Sequence, residues 1–337
     1  MSRITVLGSG AWGTAIALSL VRKGGHEVTL WSHRAESAEA LNRHRENLHF
    51  LPGFRLPEAL HVTSEAGTAV ATAEILVCVA PSEFLSQTMA RIAPHLSAGQ
   101  ILVSATKGLE DHTFLRMSEV IQRGVEQAGL MLPVGVLSGP SFAQEVAAGM
   151  PTAVTIAFSD PAVAALVQKE FSSPTLRLYT NDDVIGVEMG GALKNVIAIA
   201  AGVLTGLGLG LNSAAGLITR GIAETTRLAV AAGGRRETLS GLSGVGDLVL
   251  TCTGSLSRNR TVGFELGRGH KLPDILAGLD GKVAEGVRTT RAALGLARKL
   301  GVEMPITEQM ELILDEGKDP KEAIRELMLR PGRDEED

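Results

Sequence analysis

Ile4-Thr5-Val6-Leu7-Gly8-Ser9-Gly10-Ala11-Trp12-Gly13 stands almost at the start of the chain. Ile4 to Leu7 is a short apolar, β-branched run that reads as a strand. An apolar helical segment, Thr14 to Val21, follows the glycines and stops at Lys23-Gly24-Gly25. A second strand, Glu27 to Trp31, comes directly after. Strand, glycine turn, helix and strand in this order make G-x-G-x-x-G a dinucleotide fingerprint, where the glycines alone would be weak. Gly8 permits the tight turn, Gly10 lets a pyrophosphate approach the backbone, and Gly13 lets helix and strand pack closely. The helix N-terminus then offers free N–H groups to the phosphates.

Working outward, the end of the second strand bears on the choice of cofactor. An acidic residue there holds the ribose hydroxyls of NAD, whereas arginine suits the 2′-phosphate of NADP. This strand ends in Ser32-His33-Arg34, with Glu36 already beyond it. The reading leans to NADPH or to use of both nucleotides, and the alternative of Arg34 as a solvated loop charge stays open.

Further along, strands are expected near Ile75–Ala80, Ile101–Ala105, Val134–Leu137, Ala153–Ile156 and Leu176–Tyr179, with helices over Glu36–Asn42, Glu83–Ile92 and Leu115–Gln127. This alternation argues for a mostly parallel sheet covered by helices on both faces. Past about Asp183 the β-branched runs stop. Helical patterns follow at Val184–Leu204, Ala214–Ala232, Glu237–Thr251, Val287–Leu300 and Lys321–Met328, separated by Gly-rich turns. The expected architecture is an α/β Rossmann-like dinucleotide-binding domain over residues 1–185 and an all-α domain over 186–337. The tail Arg333 to Asp337 is expected to fray, and Pro140 is compatible with either peptide isomer.

Composition narrows the class. The 337 residues suffice for two domains with substantial cores, and 45% hydrophobic against 20% charged residues excludes a disordered chain. A formal charge of −5 argues against a nucleic-acid partner. Cys78 and Cys252, both among apolar neighbours, read as small buried hydrophobes of a reducing, cytoplasmic compartment. The apolar run Val196 to Leu211 is Gly-rich and shorter than the roughly 18 residues that suggest a membrane span, so a buried helix is expected. The histidines do not cluster with cysteines at ligand spacings, so no structural metal is expected. No Walker-type phosphate loop, H-E-x-x-H or G-x-S-x-G is present.

Within the helical half, Val184 to Leu211 carries only two charges, Glu188 and Lys194. Burying an ammonium is costly unless it is used, and desolvation lowers a lysine pKa toward the range of proton exchange near neutrality. A packed stem with its head in water is the alternative. Asp247 lies in another apolar segment, Gly244-Val245-Gly246-Asp247-Leu248-Val249-Leu250-Thr251, with Thr251 one helical turn further on. Asp247 is a candidate partner for Lys194 or a substrate hydroxyl, or else a helix N-cap. Lys107, in Thr106-Lys107-Gly108, follows a strand's carboxyl end, where open α/β sheets bind ligands; a surface lysine is the alternative. In Ser138-Gly139-Pro140-Ser141-Phe142-Ala143 the backbone offers close approach, and Ser141 is expected to cap a helix beginning near Phe142. Arg258, in Ser257-Arg258-Asn259-Arg260, is a planar fork suited to phosphate, or a solvated loop charge.

Taken together these segments resemble the bacterial NAD(P)-dependent sn-glycerol-3-phosphate dehydrogenases, from Ile4 to about Met328. Gly191-Ala192-Leu193-Lys194-Asn195 and Ser257-Arg258-Asn259 are the specific part of the match. The resemblance implies that Lys194 exchanges the substrate proton; Asp247 and Asn195 are expected to orient it, with Thr251 on the same helical face as Asp247. It implies substrate contacts from Lys107, Gly139, Ser141, Lys194, Asp247, Ser257, Arg258 and Asn259. Beside Gly8, Gly10 and Gly13 of the fingerprint, it implies cofactor contacts from Ala11, Trp12, His33, Arg34, Lys107, Ala143, Arg258, Val283 and Glu285. NADPH or NADH, a phosphorylated ketone or alcohol as substrate, a role in phospholipid precursor supply and a homodimer are also implied. Two rivals remain at this level: a reductase of 2-keto or 3-hydroxy acids, and a nucleotide-sensing protein without turnover.

Overall fold

The computed structural model describes residues 1–279, 283–332, 334 and 335; Arg333, Glu336 and Asp337, in the tail expected to fray, lie outside the described residues. The chain forms two compact units, Met1–Thr106 with Arg116–Val184, and Lys107–Leu115 with Ile185–Asp337. The sequence reading contains one boundary at 185/186; the Lys107–Leu115 loop adds a second piece to the helical unit. Its apolar residues explain this. Leu109 is 1% exposed and belongs to a core cluster with Met189, Leu193, Leu228 and Leu294, and Phe114 packs against the same cluster.

In the first unit the strands are β1 (Ser2–Leu7), β2 (His26–Trp31), β3 (Glu46–Asn47), β4 (Leu51–Arg55), β5 (Leu60–Thr63), β6 (Ile75–Cys78), β7 (Ile101–Ser104), β8 (Val134–Ser138), β9 (Thr152–Ala157) and β10 (Leu176–Asn181). The helices are α1 (Ala11–Lys23), α2 (Ala35–His44), α3 (Ala66–Ala71), α4 (Ser82–Ile92), α5 (Met117–Gln127), α6 (Ala143–Ala148) and α7 (Pro161–Phe171). Eight strands form one sheet in the order β10-β9-β8-β7-β6-β1-β2-β5, and β3 pairs β4 in a separate hairpin. Only the β8–β9 pair is antiparallel in the large sheet. Strands buried on both faces read as unbroken apolar runs, as in Ile75–Cys78, where every residue is buried. The strand order reverses at β1, which pairs β2 on one side and β6 on the other. Such a switch point opens a crevice at the carboxyl ends of the strands. The Gly139–Pro140 bond is trans.

The second unit holds α8 (Val184–Gly206), α9 (Leu211–Ala231), α10 (Arg236–Leu239), α11 (Asp247–Thr253), α12 (Arg258–Gly267), α13 (Leu272–Ala277), α14 (Glu285–Leu300), α15 (Pro305–Asp315) and α16 (Pro320–Met328). The single helix expected over Glu237–Thr251 is broken by a π turn at Leu242–Gly246. Glycine is the reason. A Cβ on Gly244 would stand 1.9 Å from the Leu239 carbonyl oxygen, and one on Gly190 would stand 2.5 Å from the Ser243 oxygen. Among the described residues α8 is the one helix long and apolar enough to cross a membrane, and 89% of its apolar window is buried inside the protein. It crosses α12 through interlocking glycines. A Cβ on Gly202 would meet the Arg260 oxygen at 2.0 Å, and one on Gly263 would meet the Ile199 oxygen at 1.8 Å.

Candidate active site

The glycine turn takes the form its spacing predicts. Gly8 has φ +130°, and a Cβ on Gly13 would stand 1.9 Å from the Gly8 oxygen, so neither position tolerates a side chain. A Cβ on Gly10 would meet nothing within 4 Å, which leaves room above the backbone. Gly10 is the N-cap of α1 and no side chain caps that helix, so its first-turn N–H groups stay available for phosphate. Ala11 and Trp12 belong to the first turn, and the buried Trp12 Nε1 has no hydrogen-bond partner among the described residues. These features fit a bound dinucleotide.

Sequence reasoning missed the residue that braces this turn. Asn47, 5% exposed, donates from Nδ2 to the Ser9 oxygen and to Thr14 Oγ1, both at 2.8 Å, while its Oδ1 accepts from the Phe50 N–H at 3.1 Å. A lone asparagine in a polar stretch gives no sequence signal for this. At the end of β2, Ser9 Oγ donates to the buried Ser32 Oγ at 2.9 Å. His33 and Arg34 are exposed, with Arg34 Nε donating to His33 Nε2 at 3.1 Å. Partial burial, then the charges of Arg34 and Arg91, hold the His33 imidazole below its usual pKa.

Also in the first unit, Gly139 has φ +137°, and a Cβ there would stand 3.0 Å from Val154 Cα. Ser141 does not cap α6, contrary to expectation. Its Oγ donates to the Gly139 oxygen at 2.9 Å, and the N-cap position belongs to Phe142, which bonds no first-turn N–H through its side chain. The hydroxyl closes the turn on itself, and Ala143 begins the helix.

The second unit gathers Lys107, Lys194, Asp247 and Thr251. Lys194 comes from α8, Asp247 is the first residue of α11, and Lys107 opens the Lys107–Leu115 loop. Asp247 is fully buried and Lys194 is 7% exposed. Asp247 Oδ2 accepts from Lys107 Nζ at 2.6 Å, and Oδ1 accepts from Lys194 Nζ. Gly246, not Asp247, takes the N-cap position, so the carboxylate is free to bridge the lysines. Thr251 Oγ1 donates to the Asp247 carbonyl at 2.6 Å and lies 3.4 Å from Oδ1. The pairing of Lys107 with Asp247 spans 140 residues and was not anticipated.

Two ammonium groups on one carboxylate leave a net positive, desolvated cluster. Burial brings the Lys194 ammonium down to about 7; the Asp247 carboxylate opposes this and the Lys107 charge adds to it. A lysine so placed exchanges protons near neutrality. Asn195 follows on α8 and is 4% exposed.

The segment Ser257-Arg258-Asn259-Arg260 is the start of α12. Ser257 Oγ caps it by accepting from the Arg260 N–H at 3.2 Å, and the exposed Arg258 is its first residue. Asn259 Oδ1 accepts from the Gly286 N–H at 2.9 Å, tying α12 to the first turn of α14. Glu285 begins α14, and Val283 lies two residues before it.

A sheet with an uncapped glycine turn at its switch point, in a chain whose helical unit buries a lysine brought down to about 7, has the parts of a nicotinamide-nucleotide-dependent oxidoreductase. The N-terminal family described as NAD-dependent glycerol-3-phosphate dehydrogenase matches residues 3–164, and its C-terminal counterpart matches residues 183–325. The chain belongs to that family. It is 64% identical over 338 residues to a glycerol-3-phosphate dehydrogenase [NAD(P)+] of Acidobacterium capsulatum, covering 99% of this chain and 100% of the relative. It is 57% identical over 335 residues to the protein so named from Koribacter versatilis, covering 99% of each. The crystal structure of glycerol-3-phosphate dehydrogenase from Coxiella burnetii superposes with a TM-score of 0.92 at 39% identity, covering 98% of this chain and 99% of that one.

Proposed function

We propose that the chain catalyses the reversible reduction of dihydroxyacetone phosphate to sn-glycerol 3-phosphate, with Lys194 giving the proton to the ketone oxygen and recovering it in reverse. It is an oxidoreductase acting on glycerol 3-phosphate with NADH or NADPH. The observation that carries the assignment of Lys194 is its burial against a carboxylate shared with Lys107.

The bound nucleotide supplies or takes up a hydride, which is chemistry no side chain here provides. The protein's share is binding, orientation and proton movement. The Gly8–Gly13 turn with Ala11 and Trp12 holds the pyrophosphate on the N–H groups of α1. His33 and Arg34 hold the adenosine end, and Arg34 pairs with no carboxylate among the described residues, which favours NADPH. Lys107, Ala143, Arg258, Val283 and Glu285 complete the proposed cofactor contacts. Lys107, Gly139, Ser141, Ser257, Arg258 and Asn259 are the proposed substrate contacts. An anchored phosphate, remote from the reacting carbon, orients the ketone.

At the reacting end, protonated Lys194 Nζ donates to the oxygen on which negative charge develops. Asp247 holds that ammonium in place through Oδ1, and Thr251 fixes Asp247. Asn195 is proposed to orient the same oxygen. Lys107, on the other carboxylate oxygen, keeps Asp247 from neutralising Lys194 alone, so the proton stays transferable. The family resemblance supports a homodimer, a cytoplasmic location and supply of a glycerophospholipid precursor.

The test is absorbance at the nicotinamide band with dihydroxyacetone phosphate and either nucleotide. Rapid substrate-dependent oxidation is expected, faster with NADPH at low concentration. Lys194→Ala is expected to lower kcat by roughly 10²–10⁴, and near-normal turnover would remove its role.

A further inference from the structure

Arg91, in the last turn of α4, was singled out by no sequence motif, yet it is fixed at the carboxyl end of β2. Its guanidinium lies over the buried Trp31 ring, with Cζ 5.2 Å from the centroid. Nη1 donates to the His33 carbonyl at 2.7 Å and Nη2 to the Ser64 carbonyl at 3.2 Å. Trp31 Nε1 donates to the same Ser64 oxygen at 3.1 Å. Arg91 therefore staples the segment after β2 to the segment after β5, with an aromatic ring as its floor.

Both acceptors are neutral carbonyls, so the staple leaves the positive charge uncompensated. Among the described residues no carboxylate comes within ion-pair distance of Arg91 or Arg34. Arg34 Nε bonds His33 Nε2, and the Arg91 charge acts on the same imidazole. The position where a carboxylate would hold the ribose hydroxyls is Ser32, which is buried and bonded to Ser9. Two guanidiniums and an imidazole thus gather where an NAD site places an acid. With no carboxylate between them, these two exposed guanidiniums raise the local positive potential that an arriving anion would meet.

We propose that Arg91 is a specificity-determining residue: it positions the His33-Arg34 segment and supplies a second fixed guanidinium, so that this strand end receives the phosphomonoester on the 2′ position of an adenosine ribose. The proposal rests on the NADPH reading above and names a residue that reading does not contain. A fork that spans two carbonyls is a property of arginine, and lysine cannot reproduce it.

The probes are 2′,5′-ADP and 5′-AMP, titrated calorimetrically into the full-length protein and into Arg91→Met and Arg91→Lys variants at fixed ionic strength. The KM values for NADPH and NADH are measured alongside. The unaltered protein is expected to bind 2′,5′-ADP more tightly than 5′-AMP. Arg91→Met is expected to shrink that ratio about tenfold or more, the scale of a lost charge-assisted contact, with the NADPH-to-NADH preference falling in step. Arg91→Lys should recover part of the ratio, because charge returns without the double carbonyl hold. An unchanged ratio in Arg91→Met, with discrimination intact in the unaltered protein, overturns the role of Arg91 and leaves the NADPH reading standing. Equal weakening of both probes and both nucleotides marks Arg91 as structural and overturns the proposal too. If the unaltered protein does not distinguish the probes, the NADPH reading itself fails and the proposal falls with it.

Discussion

Replacing Gly263 by alanine tests the close crossing of α8 and α12. An added Cβ would stand 1.8 Å from the Ile199 oxygen, 2.7 Å from the Ile199 carbonyl carbon and 2.9 Å from the Val203 nitrogen. All three are backbone atoms, so no side chain can swing aside. Ordinary contact starts at 3.4 Å, so the helices must part by about 1.6 Å along this direction. Overpacking of this kind costs about 3 kcal/mol, against a helix-propensity gain of about 1 kcal/mol. The net loss is about 2 kcal/mol, a fall in Tm of roughly 4–8 °C by calorimetry. Gly216→Ala is the control: it lies within α9, a Cβ there meets nothing within 4 Å, and a gain of about 0.5–1 kcal/mol is expected. With Lys194 as the proposed proton donor on α8, turnover is expected to fall too, a shift of about 1 Å costing about 10²-fold in rate. A Gly263→Ala protein that melts at or above the parent temperature, as Gly216→Ala should, would refute the packing argument.

Three further outcomes are expected. Reduction needs Lys194 charged and oxidation needs it neutral, so kcat/KM for the ketone should fall, and for the alcohol rise, as pH increases through about 7; parallel profiles in the two directions would contradict the assignment. Lys107→Met removes a charge that pushes the Lys194 pKa down, so the alkaline limb of the reduction profile should move to higher pH, alongside a raised KM for the phosphorylated ketone. Asn47→Ala frees the glycine turn at Ser9 and Thr14, and should raise KM for NADH and NADPH alike by roughly tenfold, with little change in KM for the ketone; a selective effect on one nucleotide would show that Asn47 does not act through the turn.

What could be read from the sequence followed the reach of each signal. The first strand, its glycine turn and α1 announce themselves within twenty residues, because local sterics dictate them. Lys194 stood out by being charged where its neighbours are not. The helix Pro161–Phe171 was missed although Asp160 caps it and proline opens it, a signal that was present and unused. The strand Leu60–Thr63 is four residues long at a sheet edge, too short for alternation to declare itself. Ser257 and Arg258 looked like a loop because the glycines and charges of α12 obscure its apolar stripe; those glycines serve the crossing with α8. The Lys107–Asp247 bridge and the brace by Asn47 depend on residues brought together by folding, and no local pattern encodes them.

The Lys107–Leu115 loop governs how this chain can be dissected. The backbone passes between the two units at 106/107, at 115/116 and at 184/185, so no single cut releases either one whole. A fragment starting at Ile185 would leave Asp247 with one ammonium instead of two, and the apolar cluster without Leu109 and Phe114. Exchange of helical halves between relatives would likewise have to carry nine residues borrowed from the middle of the other half. One of the two ammonium groups on Asp247 is thus inherited with the nucleotide-binding portion of the chain.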